Sequence, residues 1–454
     1  MEYEIKRSTH SNRLLEAPIG ETLRHLTLPM IIGIISLLLF GLVDTFFIGQ
    51  LGTDQLAALG FTFPISFIVM NIIMGFTIGL AAVLSKTLGE GDQNKATRLT
   101  TDTLLLSIII IALIVAIGIA SIEPLFTLIG ANEVVMPYIK EYMLLWYIGA
   151  IFLVTPMIGN AALRATGDMK TPAIMMFISA IMNALLDPLF IFGLGPIPAL
   201  GMQGAALATL ISWGISCVIA IWLLTMKVKL ISFTLPTMSE LLASWKPVLY
   251  IAIPAGITNL LIPLSTTILT AIIAIHGVEA VAAFGVGTRI EALAMVVIMS
   301  LSVAILPFIG QNLGAKKNAR VREAISIALK FCFWFQMFIY LLLLMSASLL
   351  AELFTDDLLV AELIVLFLFI VPASYSFQGM MMISGSVMNG INRPVQVMVL
   401  SIIRLFILFI PFAYAGSQIA DIKGLFIGLL VASIIASVMT HLWLKRTLVE
   451  VLPA

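Results

Sequence analysis

The sequence predicts an all-α polytopic membrane protein, with twelve transmembrane helices in two pseudo-symmetric six-helix lobes that are parallel repeats around a central cleft. Three observations predict it. Of 454 residues, 61% are hydrophobic and 11% are charged, against roughly 25% charged in an ordinary soluble domain. Apolar runs recur at lengths that cross a bilayer, which takes about 20 residues at about 1.5 Å each. The chain also repeats its own punctuation half-way along. Gly 32, Pro 19 and Cys 2 exclude collagen-like and disulfide-framed chains. Cys217 and Cys332 fall inside apolar runs, where small buried side chains are expected rather than redox chemistry.

The first 25 residues are polar and lack a signal-peptide apolar region, so 1–25 is expected as a cytoplasmic arm. Six spans are expected near 26–50, 59–85, 98–121, 134–164, 171–193 and 202–226, forming an N-lobe over 26–226. Residues 227–246, with Lys227, Lys229 and Lys246, are expected as a cytoplasmic inter-lobe linker. Six more spans near 246–275, 281–312, 321–350, 360–390, 394–416 and 422–446 form a C-lobe over 247–446, and 447–454 is a tail. Gly52, Gly89-Glu90-Gly91-Asp92, Gly167-Asp168, Gly195-Pro196, Gly314 and Asn392-Arg393-Pro394 separate the runs. The fourth, eighth and tenth runs are long enough to be broken or tilted helices.

Basic residues set the orientation, because they accumulate in cytoplasmic loops. Lys86, Lys95, Arg98, Arg164, Lys170, Lys316, Lys317, Arg320 and Lys445 fall on one side. Asp54, Glu123, Glu279, Glu352 and Asp356 fall on the other, where Lys140 and Lys423 are the clear basic exceptions. Both termini are therefore expected in the cytoplasm of a cell with this protein in its inner membrane. An offset of 225 residues aligns Pro29 with Pro254, Gly52 with Gly277, Gly60 with Gly285 and Leu88-Gly89 with Leu313-Gly314. With small gaps, Pro172 meets Pro394 and Gly204 meets Gly424. Internal symmetry of this kind is the mark of transporters that rock between inward-open and outward-open states.

An acid inside a span is a functional candidate by default, since a charge near the bilayer centre costs about 2.5–3.5 kcal/mol. Asp44 in LFGLVDTFFIG and Asp187 in NALLDPLFIFG are two such acids. Asn183 lies one turn before Asp187 on the same face, and Pro188 removes a backbone donor beside it. Burial favours the neutral form of a carboxyl, and two neighbouring carboxyls favour sharing a proton. Oxygen-only donors would equally suit sodium. A purely structural role, bonding neighbouring helices together, is the alternative for these acids.

The stretches LGTDQLAALG, LGEGDQNKA, ALRATGDMKTP, NALLDPLFIFG and GAALAT resemble the multidrug and toxic compound extrusion (MATE) family, and within it the DinF-like branch, over nearly the whole chain. The basic G-x-x-x-D-R-x-G-R-R loop typical of the major facilitator superfamily is not matched by Lys86 to Arg98. The resemblance implies a transporter rather than an enzyme, without a cofactor, that exports lipophilic organic cations against protons or sodium and acts as a monomer without nucleic acid. It implies a coupling site at Asp44, Asn183, Asp187 and Thr209, the only place where sodium would bind. No P-loop G-x-x-x-x-G-K-[ST] is present, so an ion gradient is expected to drive transport. The four histidines, His10, His25, His276 and His441, form no metal spacing.

Asn160, Met176, Tyr142 and Trp146 are candidates for a cargo pocket. Methionines suit adaptable surfaces and aromatic rings stack on cations, although an interfacial aromatic belt would also explain the rings. In the C-lobe, Leu269 stands at the repeat position of Asp44. The polar residues there, Arg289, Glu291, Gln378 and Arg404, are expected to be structural, with an inter-helix ion pair involving Arg404. The alternative function is a lipid-linked precursor flippase of the same superfamily, for which a cationic cleft or extra helices would be expected.

Overall fold

The structure, a computed structural model, describes residues 13–452. The start of the expected N-terminal arm and the last two residues of the expected tail lie outside them. Regular structure among the described residues is helical, apart from one isolated bridge between Leu194 and Ile197. Two compact units are present. One holds Leu28–Gly256 and the other holds Pro18–Thr27 and the chain from Ile257 onward.

The first unit runs α1 (Ile19–Gly49), α2 (Thr53–Gly89), α3 (Gln93–Ala120), the short α4 (Ile122–Leu128), α5 (Met136–Ala165), α6 (Lys170–Ile191) and α7 (Gly201–Trp222), which ends in a π turn at Leu223–Lys227. Polar punctuation sets these starts. Asp92 accepts from Lys95 N at 2.9 Å to open α3, and Asp168 accepts from Thr171 N at 2.9 Å in the first turn of α6. The helix α5 packs on α2, α3 and α7. Gly149 lies against Trp213 and Gly159 against Leu224, so small residues allow close approach where no hydrophobic force draws helices together in lipid. The helix α1 begins at Ile19, seven residues before the expected start of the first span.

After α7 the chain crosses 228–237 without regular structure and enters α8 (Met238–Ala274). The segment expected as a cytoplasmic inter-lobe linker is stapled to α3. Thr97 Oγ1 donates to Lys229 O at 3.3 Å, Ser232 N donates to Thr101 Oγ1 at 2.9 Å, and Arg98 Nη1 donates to Thr234 O at 2.8 Å. Arg98 also pairs with buried Asp102 at 2.8 Å, and Asp102 accepts from Ser244 Oγ at 2.7 Å. Trp245 Nε1 donates to Asp102 O at 2.9 Å. Further along, Gly75 and Gly79 of α2 sit against the carbonyls of Ala252 and Val248. The first half of α8 therefore belongs to the first unit, and the unit boundary falls at Gly256 inside the helix.

The second unit continues with α9 (Val278–Gly314) and α10 (Asn318–Phe354). The tenth span is interrupted, as α11 (Leu358–Ile370), a 3-10 turn at Val371–Ser374 that contains Pro372, and α12 (Tyr375–Gly390). Proline lacks the donor that would continue the ladder. Last come α13 (Pro394–Ile402), a π turn at Ile403–Phe409, and α14 (Ile410–Val451).

Eleven helical stretches among the described residues are long and apolar enough to cross a membrane, and the last covers 58 residues, Pro394–Val451. As one straight helix it would reach about 87 Å, nearly three times the hydrocarbon thickness. It reverses instead at Ala420 and Asp421, whose backbones are non-helical; Asp421 has φ 49°. Beyond the break, Gly424 lies against Gly416 and Gly428 against the Phe412 carbonyl. Only an antiparallel hairpin brings those pairs together, so the stretch is two spans and the count is twelve. In the first unit, Gly204 likewise lies against the carbonyl of Phe190.

Candidate functional site

Four helices of the first unit bring their polar groups to one buried place. Asp44 lies near the end of α1, Asn183 and Asp187 near the end of α6, Thr209 in the third turn of α7, and Tyr142 in the second turn of α5. Tyr142 Oη donates to Asp44 Oδ2 at 3.4 Å. Asn183 Nδ2 donates to Asp187 Oδ1 at 3.1 Å and to Thr209 Oγ1 at 3.4 Å. The i, i+4 spacing of Asn183 and Asp187 puts both on one face of α6. Tyr142 also lies in the field of both carboxyls, so the two halves of the cluster are electrically joined.

Burial is severe. Asp187 and Asn183 are wholly inaccessible, Thr209 is 2% and Asp44 7% exposed. Yet Asp44 Oδ1, Asp187 Oδ2 and Asn183 Oδ1 have no hydrogen-bond partner. Buried polar atoms are nearly always satisfied, and an orphan calls for an explanation. Three unpartnered oxygens in one cluster offer acceptors for a proton or a small hard cation, and the residues present supply an oxygen donor set of the kind sodium takes. Ser212, one turn after Thr209 on α7, adds a fully buried hydroxyl without a partner. A serine one turn beyond Thr209, on the same helix face, was the available signal for it.

The other candidates are distributed differently. Tyr142 and Trp146 are both 5% exposed, which places them inside the unit rather than in a lipid-facing belt. Trp146 sets its ring edge-on to Trp213 and Tyr147, each at 5.9 Å between centroids. Met176 Sδ packs where α6 meets Gly33 of α1. Asn160 is buried with Oδ1 unpartnered.

In the second unit, Arg289 is exposed. Its neighbour two residues on turns away on a helix, as the spacing requires. Glu291 lies beside Gln378 and in the field of Arg404. Arg404 sits in the π turn with its guanidinium 5.1 Å from the centre of the Phe409 ring. Gln378 donates to Ser374 Oγ at 3.0 Å.

Known proteins resemble this chain in sequence and in fold. The MatE family model matches residues 29–189 and 254–415, two blocks that start at the repeat-related Pro29 and Pro254. A FAD transporter of Shewanella oneidensis is 41% identical, covering 95% of this chain and 96% of its own. The multidrug export protein MepA of Staphylococcus aureus strain NCTC 8325 is 23% identical, covering 92% and 91%. The crystal structure of the Vibrio cholerae MATE transporter VcmN in its bent form matches with a TM-score of 0.90 and 34% identity over 97% of this chain and 98% of that one. The chain therefore belongs to the MATE family and is a multi-pass membrane transporter of small organic substrates, not an enzyme.

Proposed function

We propose that this transporter is a cation-coupled antiporter of the inner membrane, with both termini in the cytoplasm, and that Asp44, Asn183, Asp187 and Thr209, joined by Tyr142, form its coupling site. One observation carries the reading: two acids share a buried cluster and each keeps one oxygen unpartnered. Binding a proton or sodium there removes the uncompensated charge, and releasing it restores the charge. A ligand shifts a two-state protein only by its differential affinity for the states. Charge neutralisation at Asp44 supplies such a difference, because it frees α1 to bend and repack, and repacking narrows the cargo space of the lobe. No covalent chemistry is required.

For the cargo, a flavin dinucleotide is supported by the 41% identical FAD transporter, matched along nearly the full length of both chains. Lipophilic organic cations are supported by the acidic cluster itself and by the more distant multidrug exporters. The test is transport by purified protein in liposomes under an imposed proton gradient or, separately, a sodium gradient. FAD and a fluorescent organic cation are offered in parallel to the unsubstituted protein, Asp44→Asn and Asp187→Asn. Gradient-driven movement lost in both folded variants supports the coupling site, and the effective gradient names the ion. Movement that survives both substitutions relocates coupling, and the cargo that moves decides between the two substrate classes.

A further inference from the structure

A groove of about 500 Å³ opens in the second unit between α10 and α14, both of which pack on α12. It lies at the end of the bundle where α10 begins and α14 stops, the end rich in lysine and arginine. Four basic side chains line it: Arg322 and Lys330 from α10, and His441 and Lys445 from α14. None of its lining residues is acidic. Glu450, the carboxylate on the last turns of α14, faces Arg446 at 3.6 Å and Arg393 at 4.0 Å instead. Among the described residues, Lys330 and Lys445 have no ion-pair partner, and both are exposed. Arg322 donates to the Leu452 carbonyl, which brings the end of α14 to the mouth of the groove.

The lining changes character with depth. Arg322, Ser326 and Lys330 follow one another at four-residue intervals along α10, and His441 and Lys445 do the same on α14. Deeper along α10 come Phe333 and Trp334, with Met380 of α12. Trp334 is 69% exposed. From Lys330 to Trp334 is about 6 Å along the helix, the step from a headgroup phosphate to the start of the acyl region. A tryptophan at that level marks the membrane interface. The groove is thus cationic where phosphates lie and apolar where chains lie.

We propose that this groove is a binding site for an anionic phospholipid, whose phosphate is held by Lys330, His441 and Lys445 and whose acyl chain lies along Phe333, Trp334 and Met380. Charge complementarity selects an anionic over a zwitterionic headgroup. The apolar floor selects a lipid over a soluble phosphate, and a basic pocket between spans is the arrangement that recognises such lipids. The assignment does not depend on which cargo is transported.

The test uses full-length protein, stripped of lipid in detergent and mixed with phosphatidylglycerol or phosphatidylcholine of identical chains. Bound lipid is counted by native mass spectrometry. Retention of phosphatidylglycerol over phosphatidylcholine is expected, falling roughly fivefold for each basic residue removed in Lys330→Gln, Lys445→Gln and their double variant. The charge-conserving Lys330→Arg/Lys445→Arg keeps it, and monodisperse elution shows that each variant is folded. Equal retention of both lipids overturns the site. So does an equal loss in Lys86→Gln/Lys95→Gln, which would reveal general surface charge. Displacement by millimolar glycerol phosphate or by FAD as readily as by lipid would make it a soluble-anion or cargo port, and would overturn it too.

Discussion

The two lobes share a scaffold and differ in what fills the same four positions. Asp44 corresponds to Leu269 by the offset that pairs Pro29 with Pro254. The register of Pro172 and Pro394 carries Asn183 and Asp187 onto Leu405 and Phe409, and that of Gly204 and Gly424 carries Thr209 onto Leu429. All four C-lobe residues are at least 92% buried and belong to one apolar core. Where the N-lobe keeps three oxygens without partners, the C-lobe keeps a packed hydrocarbon interior. An apolar core at native density is the cheaper solution for a helix bundle, so the polar version persists for a reason other than stability. The repeat supplies the architecture, and one lobe supplies the candidate chemistry.

The strongest way to break this contrast is to move the acid. Leu269→Asp would place a carboxyl in the apolar core that also holds Leu405, Phe409 and Leu429. Burying an unpaired acid is expected to cost about 3 kcal/mol, read as a large fall in the apparent melting temperature of purified protein. The reciprocal Asp187→Leu removes an uncompensated group, so its melting temperature is expected to hold or rise while gradient-driven transport disappears. If Leu269→Asp is tolerated as well as Asp187→Leu, the two interiors do not differ as described.

Stability in the N-lobe also rests on the stapled segment. Asp102→Ala leaves the Arg98 guanidinium, 18% exposed, without its buried partner and strands Ser244. Breaking such a pair costs about 3 kcal/mol when fully buried, and less here because water reaches Arg98. The expected readout is faster protease cleavage within 228–237, with the C-lobe fragment remaining folded. Unchanged cleavage would show that the backbone bonds from Thr97 and Thr101 hold the segment without the ion pair.

Much of this was legible in the sequence, and the reasons are specific. Span number and repeat follow from apolar run length and from Gly and Pro at fixed offsets, and both survive in the structure down to the reversal near Ala420. Asp44 and Asp187 announce themselves because acids inside apolar runs are rare. Tyr142 was legible as a residue but not as a partner: an aromatic near the end of a span reads equally as belt or as site, and its contact spans 98 residues of chain. The docked linker was hidden because lysines and threonines predict solvent, and nothing local signals that Arg98 and Asp102 point at residues more than 130 positions away. The π turn around Arg404 was equally hidden, since its composition is that of any span.

The hairpins that close each repeat offer a finer test. Both bring glycine against backbone, Gly204 against Phe190 and Gly424 against Gly416, so an added methyl meets atoms that cannot rotate away. The connections differ, however. The N-lobe helices are joined by residues 192–200, which can take up a displacement, whereas the C-lobe helices turn at Ala420 and Asp421 alone. Overpacking typically costs about 1–3 kcal/mol, so Gly424→Ala is expected near the upper end and Gly204→Ala near the lower end. Melting temperatures of the two variants side by side check this, and equal losses would mean that the longer loop gives no relief.

The smallest effect is at the opposite ends of the third spans. The N-lobe follows α3 with α4, tied by Lys140 Nζ to Glu123 Oε2 at 2.8 Å. The C-lobe goes from α10 directly into α11, capped by Asp357, which accepts from Leu359 N at 2.9 Å and Val360 N at 3.1 Å. Lys140 holds the Glu123 carboxyl below its ordinary range, through a hydrogen bond first and charge second. A carboxyl lowered in the folded state stabilises above its unfolded pKa, and that contribution fades as pH falls through the folded value. Asp357→Ala is therefore expected to lose about 1 kcal/mol as a lost cap. Glu123→Gln, on an exposed pair, is expected to leave melting at neutral pH almost unchanged. Its one signature is that the small difference from the unsubstituted protein vanishes once the buffer is acidic enough to protonate Glu123. A difference that persists in acid would mean that Glu123 anchors α4 by something other than its charge.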